Sequence, residues 1–329
     1  MFPIDEAIKS SRSSTLFDSL EKSLKDIQEN IERVVKDREA NLDEIKQQHL
    51  KGLNDIKAQI FTAVPPRSKS IDDFTASLIN EFQLPLGQSR TCITGSSVFP
   101  DGRMVFADCF FNNRLIIVQS DCSLSTEISL SPLYPFDVTC IDDKTVAVTM
   151  FSDNKIQIID TKSKQVTKTI NTGAGRGITY RQGQIIYCEK EKGIVGIQLS
   201  NFKIYTLVED CTIKNNYSFI ATSGENLYYT DNGYTVKCYS VKGDNHWEYK
   251  NKSIMNGVTG IAVDQHGIVS VISNSNERVV LISSDGKNSR TLLTAKDGIT
   301  NSCGMYFHVK KLCFVSYPES SSNLTLPNT

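Results

Sequence analysis

Short polar side chains recur at similar places through much of this 329-residue chain. Asp108 and Asn113, Asp153 and Asn154, Asp231 and Asn232, and Asn274 and Asn276 each fall between runs rich in Val, Ile and Tyr. Carboxylates and amides brought to one axis would hold a divalent cation, and a cation so held can activate water for hydrolysis. The same side chains satisfy loop backbone groups and tolerate turn geometry, which is the stronger reading for residues scattered this way.

Other candidate chemistry is weaker. The glycine-rich NTGAGRG, from Asn171 to Gly177, lacks the Lys-Ser/Thr and the α/β setting of a phosphate loop and reads as a turn. His49, His246, His266 and His308 lie far apart, so no triad follows from them. Cys92, Cys140, Cys188 and Cys303 sit in or beside strand-like runs and read as small core residues. No catalytic residue and no metal site is expected.

The elements that must position these residues fall into two textures. From Asp5 to Phe61 there is no Pro, Gly52 is the one Gly, and apolar residues return every three or four positions. The stripe reads Leu20, Ile27, Ile31, Val34, Arg38, Leu42, Ile45, His49, Leu53, Ile56 and Ile60. From Ile31 it follows an eleven-residue repeat, which predicts a nearly straight seam. A helix of roughly 85 Å cannot bury such a stripe on itself, so residues 1–63 are expected to form a coiled coil that dimerises the chain. Arg38 and His49 would snorkel at its margin. Residues 64–83 read as a linker with one short helix begun near Ser70 or Asp72.

Beyond Leu84 the runs are rich in β-branched and aromatic residues and punctuated by Gly, Asp and Asn. Six units align, with their first turns at Gly102, Lys144, Gly183, Gly224, Gly267 and Lys310, spaced 42, 39, 41, 43 and 43 residues apart. Each reads as a four-stranded antiparallel blade, so residues 84–329 are expected to close into a six-bladed propeller. The sixth unit ends early, and Glu81–Leu86 is expected to supply its missing strand. The fold class is thus an all-β six-bladed propeller preceded by a long α-helical coiled coil.

The units PDGRMVFADCFFNNRLIIV and VTGIAVDQHGIVSVISNSNERVVLI, behind a helix with an eleven-residue repeat, resemble tripartite-motif (TRIM) proteins with an NHL-like propeller. The resemblance implies coiled-coil dimerisation, target recognition by the propeller, and ubiquitin ligase-type regulation when RING and B-box zinc fingers are present. No Cys or His precedes His49, so those modules are expected to be missing, and zinc with them. On this chain the resemblance implies no cofactor and no enzyme activity. A metal-dependent lactonase or hydrolase-type propeller is the rival; acids do not recur at the starts of the innermost strands, where it would need them.

In a blade, the loop from second to third strand and the connection to the next blade emerge at the same end. That end gathers Phe111, Tyr134, Phe151, Arg176, Lys190, Lys214, Tyr234 and Arg278, residue types that anchor interfaces, and we expect the partner to bind there. Phe110 and Phe111 should divide between core and surface. The formal charge of −1, from 36 basic and 37 acidic residues, argues against a general nucleic-acid or membrane-surface binder. Residues 84–329 carry 24 basic and 22 acidic side chains, so a protein target is expected ahead of RNA. Nine cysteines without a CxxC pair, no signal peptide and no membrane-spanning run suit the cytoplasm.

Overall fold

The computed structural model describes residues 22–38, 57–64, 70–85, 87–88, 91–173, 175–214, 217–231, 233–308 and 311–316. The chain divides into two compact units, Met1–Gly52 and Leu53–Thr329.

In the first unit residues 22–38 form a helix, α1. It carries Ile27, Ile31 and Val34 of the expected stripe, each about half exposed. Leu20, Leu42, Ile45, Leu53 and Ile56 lie outside the described residues. The long coiled coil is not what forms. The described helix is short, and Lys57–Val64 is a β-strand, β1, of the second unit. Its sequence KAQIFTAV holds Ile60, Phe61 and Val64, which favour a pleated backbone. A three-to-four spacing of apolar residues over so short a run does not separate helix from strand, and pairing decides the matter.

The expected linker is also largely strand. Ser70 caps a single 3-10 turn, Ile71–Asp73, by accepting from the Asp72 amide, and β2 follows over Thr75–Gln83. Blade one is β3 (Ile93–Val98), β4 (Met104–Asp108), β5 (Arg114–Val118) and β6 (Leu124–Ser129). Blade two is β7 (Pro135–Cys140), β8 (Thr145–Met150), β9 (Lys155–Asp160) and β10 (Gln165–Asn171). Blade three is β11 (Gly175–Arg181), β12 (Gln184–Glu189), β13 (Gly193–Gln198) and β14 (Lys203–Glu209). Blade four is β15 (Ile220–Ser223), β16 (Asn226–Thr230), β17 (Thr235–Ser240) and β18 (Asn245–Lys250). Blade five is β19 (Val258–Val263), β20 (Val269–Ser273), β21 (Arg278–Ile282) and β22 (Ser289–Thr294).

Blade six is shared between the ends of the chain. Its order is β23 (Cys303–His308), β24 (Lys311–Ser316), β1, β2, from the axis outward. Closure therefore uses two N-terminal strands, not the single strand expected over Glu81–Leu86. β1 runs antiparallel to β24 from Lys57 opposite Ser316 to Thr62 opposite Lys311.

Second and third strands are buried on both faces, as in β4 and β5, because each blade is sandwiched between two others. Outer strands such as β10 are mostly exposed. Hydrogen bonds near the axis join successive blades. Thr94 Oγ1 donates to the Phe136 carbonyl, Thr149 Oγ1 to the Arg176 carbonyl at 2.7 Å, and the Gly177 amide to the Ser218 carbonyl at 2.8 Å. Ser223 Oγ reaches the Asp264 carbonyl at 2.8 Å, Thr259 Oγ1 the Ser302 carbonyl at 2.6 Å, and Cys303 Sγ the Ile93 carbonyl. Gly177 permits this closeness: a Cβ there would stand 2.6 Å from the Phe219 Cα.

Ile60 is 6% exposed and packs with Ile93, Phe106 and Ile116 of blade one. An Ile60→Asp change places an unpaired carboxylate in that cluster and should cost about 4 kcal/mol, read as a lower denaturant midpoint of the propeller transition. Ile31→Asp, on an exposed position of α1, should move that midpoint by no more than about 0.5 kcal/mol. An unchanged midpoint for Ile60→Asp would return residues 57–64 to a separate helix.

Candidate binding face

The loops from second to third strand and the connections between blades meet at one end of the ring. Two blade-one loop residues begin the site. Phe110 adopts a positive φ of 66°, while the Phe111 amide donates to the Cys109 carbonyl at 2.8 Å. The two rings diverge: Phe110 is half-buried against neighbouring aromatics, and Phe111 is 50% exposed.

Phe110 lies 5.1 Å from Phe151, edge to face, and 6.4 Å from Tyr134. Phe151 continues to Phe136 at 5.7 Å and Tyr217 at 6.1 Å, and Phe136 stacks on Phe219 at 5.7 Å. The result is a continuous aromatic layer across loops of blades one and two, strand β7 and the segment that leads into blade four. Such offset and edge contacts add to the burial of the rings.

Arg176, at the start of β11, lies beneath this layer. Its guanidinium sits 4.6 Å over the Phe151 ring and donates to the carbonyls of Phe151 and Gly175 at 3.0 and 2.9 Å. Burial pulls its pKa down from the ordinary value, with Tyr217 and Cys109 acting the other way. At 5% exposure Arg176 is a support for the face and not a solvent-facing anchor, and Phe151 is buried as well. The position of Arg176, at the start of an inner strand, brings its long side chain to Phe151 of the neighbouring blade.

The other expected residues spread around the same end. Tyr134, Tyr234, Lys190 and Arg278 are half-buried and Lys214 is exposed. Lys250 and Lys252 each approach the Tyr234 ring at 5.7 Å. Arg278 Nε donates to the Asn276 carbonyl at 3.2 Å. The structure thus joins Tyr134, Phe151 and Arg176 into one cluster and leaves Lys190, Lys214, Tyr234 and Arg278 at separate loops.

The recurring acids mostly hold loops in place. Asp108 accepts from the Cys92 amide at 2.8 Å, Asn112 at 2.9 Å and Arg114 at 2.9 Å, and Arg114 also reaches Glu127 at 2.6 Å. Burial pushes the Asp108 carboxyl up, against the pull of the Cys92 amide and Arg114. In blade four Lys237 Nζ donates to Asp210 at 2.8 Å and Thr212 at 2.7 Å and pairs with Asp231 at 3.2 Å. Burial acts to raise Asp210, but bonds from Lys237, Thr212 and Tyr229 outweigh it and hold the carboxyl below its ordinary value.

Sequence reasoning missed Asp137. The inner strands enclose a cavity of about 220 Å³, lined by residues of β3, β7, β11, β15, β19 and β23 together with Phe219. Asp137, on β7, is the single carboxylate among its lining residues. Oδ2 accepts from the Ile178 amide at 3.0 Å and Oδ1 from the Val138 amide at 2.9 Å. Burial pushes its pKa up to about 7 despite those two bonds. The visible signal was one acid inside PFDVTC, an otherwise uncharged strand.

No family model and no curated protein matches the sequence. Solved structures do match. Virginiamycin B lyase from Staphylococcus aureus shares 18% identity over 71% of this chain and 97% of its own, with a TM-score of 0.54. A chain of the nidogen–laminin complex shares 12% over 73% and 95%, with a TM-score of 0.56. A streptogramin B lyase shares 14% over 69% and 93%, at 0.51. At these identities the likeness shows the propeller fold. Among the described residues no helix is long and apolar enough to cross a membrane.

The raised pKa of Asp137 sets a pH dependence. The folded state binds its proton more tightly than the unfolded chain, whose carboxyl titrates near 3.8. This group therefore favours folding most below about pH 4, and that contribution is lost as pH rises to about 7, beyond which it is flat. Urea melts of wild type and Asp137→Asn between pH 4 and 8 should differ by a slope confined to that window. Parallel stability curves would contradict the assignment.

Proposed function

We propose that this chain is a non-catalytic recognition module that captures a protein segment on the aromatic end of the propeller. The observation that carries the reading is Phe111, half exposed and next in the chain to Phe110, whose ring is packed among Tyr134 and Phe151. An exposed aromatic on a rigid support is the arrangement that anchors protein interfaces at low entropic cost. Tyr234 and Arg278 on other loops give the same end further anchor types. By the resemblance of its blade motifs, the module would select targets for a tripartite-motif-type regulator, and the transfer of ubiquitin would belong to other parts. Incubated with purified activating and conjugating enzymes, the chain itself should transfer none.

A displayed library of random peptides, selected on the immobilised full chain, tests the face without a named partner. Selected peptides should lose binding at least tenfold on Phe111→Ser with Tyr234→Ala. They should keep it on Arg103→Glu with Gln265→Ala, at the turns of the opposite end. The exposed Phe111 side chain should make little difference to thermal stability when replaced. Loss with the second pair and not the first would move the site to the opposite end. Selective capture of single-stranded RNA, weakening steeply with salt, would replace the protein target by RNA.

A further inference from the structure

The channel behind the aromatic layer has a chemistry that the ring itself does not need. Inner strands elsewhere bridge blades with neutral hydroxyls, Thr94 and Thr259 among them. Between blades two and three the bridge comes instead from Asp137, one strand position further on and level with Gly95 and Gly260, an acid buried to 8% exposure. Its carboxylate borders Gly95 so closely that a Cβ there would come 2.2 Å from Oδ1. Both oxygens accept one backbone amide each, and each retains further accepting capacity. Ser96, 9% exposed and lining the same cavity, has an Oγ with no hydrogen-bond partner. Ser96 Oγ is closed off from the cavity, so it is the carboxylate, with spare accepting capacity on the cavity wall, that points to a ligand.

The approach to this cavity is aromatic. Phe136, Tyr217 and Phe219 line a smaller apolar recess of about 40 Å³, and Phe219 and Thr94 line both spaces. Phe136 precedes Asp137 directly, so the acid lies one strand position deeper than the rings. Aromatic faces attract a passing cation and pack against a methylene stem.

We infer that this channel takes a primary ammonium group on a slender alkyl stem, with Asp137 as its counter-charge. A lysine side chain and a free alkylamine share that chemistry. A divalent cation of the calcium class takes several carboxylate and carbonyl oxygens, whereas this cavity offers one carboxylate. A guanidinium is a broad planar fork, whereas the recess of about 40 Å³ suits a slender stem. The inference deepens the proposed function, since a captured segment would present the lysine, and it rests on that reading only for the source of the amine.

The neighbouring titratable groups leave Asp137 to act alone. On strands packed against β7, Asp108 is paired with Arg114, Arg176 is stacked on Phe151, Tyr180 accepts from the Gly183 amide, and Arg181 is paired with Glu225. Cys188 is a fully buried thiol pushed up by burial and stays neutral.

Calorimetric titration of the full chain with Nα-acetyl-lysine methylamide and with n-butylamine tests the inference. Both should bind saturably at pH 8, and Nε-acetylation should weaken the lysine derivative at least tenfold. Below about pH 7, where Asp137 is protonated, affinity should fall by up to tenfold per pH unit, with release of a proton on binding. Asp137→Asn should abolish the pH slope and weaken binding at least tenfold; if that variant does not fold, the wild-type slope and proton release decide alone. A lysine derivative that outcompetes butylamine points to a protein source, and equal affinities to a small amine. Absence of saturable binding by either amine, indifference to Nε-acetylation, pH-independent affinity, or uptake of Ca²⁺ with refusal of both amines overturns it. The outcome is separable from the proposed function, because the Phe111 and Tyr234 changes leave Asp137 untouched.

Discussion

In a ring of blades each sheet packs between two others, and the ladder between β1 and β24 makes that true for all six. β1 lies third from the axis in a sheet whose two inner strands come from the other end of the chain. Its alternate residues serve two interfaces. Ala58 and Ile60 join the cluster shared with blade one, whereas Phe61 packs on the other side with Phe314, Val279 and Leu281. Without this strand, blade six would present an unpaired edge and two of its neighbours' faces would lose apolar cover. The entropic cost of joining segments so far apart in sequence grows only slowly with their separation, so a short ladder with two buried faces can hold the ring.

Closure fixes where the inner strands stand, and through them the candidate site. The blade-to-blade bonds near the axis are mostly between neutral groups, which remain satisfied at any ordinary pH. Asp137 departs from that pattern. It bridges to the Ile178 amide as a hydroxyl could to a carbonyl elsewhere, yet it carries a charge that burial disfavours. At the same end the aromatic layer is held from below by Arg176, whose guanidinium is committed to Phe151 and two carbonyls. The face therefore has a rigid base, an exposed Phe111 and a polar channel behind it, a sequence of environments from apolar to acidic.

Much of this was legible in the residues. The spacing of Gly102, Gly183, Gly224 and Gly267 marked tight turns, and the observed first turns fall there, with positive φ at all four glycines. Phe110 and Phe111 divided as alternation requires, one toward its neighbours and one toward solvent. The N-terminal region was not legible in the same way. Ile60 satisfied the helical stripe as well as a pleated strand, and what separates the two is a partner, β24, more than two hundred and fifty residues away. Local periodicity holds no record of such a partner. Arg176 is by residue type an interface anchor; stacking on Phe151 buries it, and that contact joins different blades. Asp137 was visible as an acid in an uncharged strand, but which side of a strand meets the axis depends on the assembled ring.

The account's central claim is that the β1–β24 ladder closes the ring. Hydrogen–deuterium exchange of the full chain measures it directly, because amides paired across a closed ladder exchange only when the propeller opens. Amides along Lys57–Val64 should be protected to the same level as those of β4 and β5, well above the turn at Ile71–Asp73. Rapid exchange over Lys57–Val64 while β4 and β5 stay protected would contradict the account.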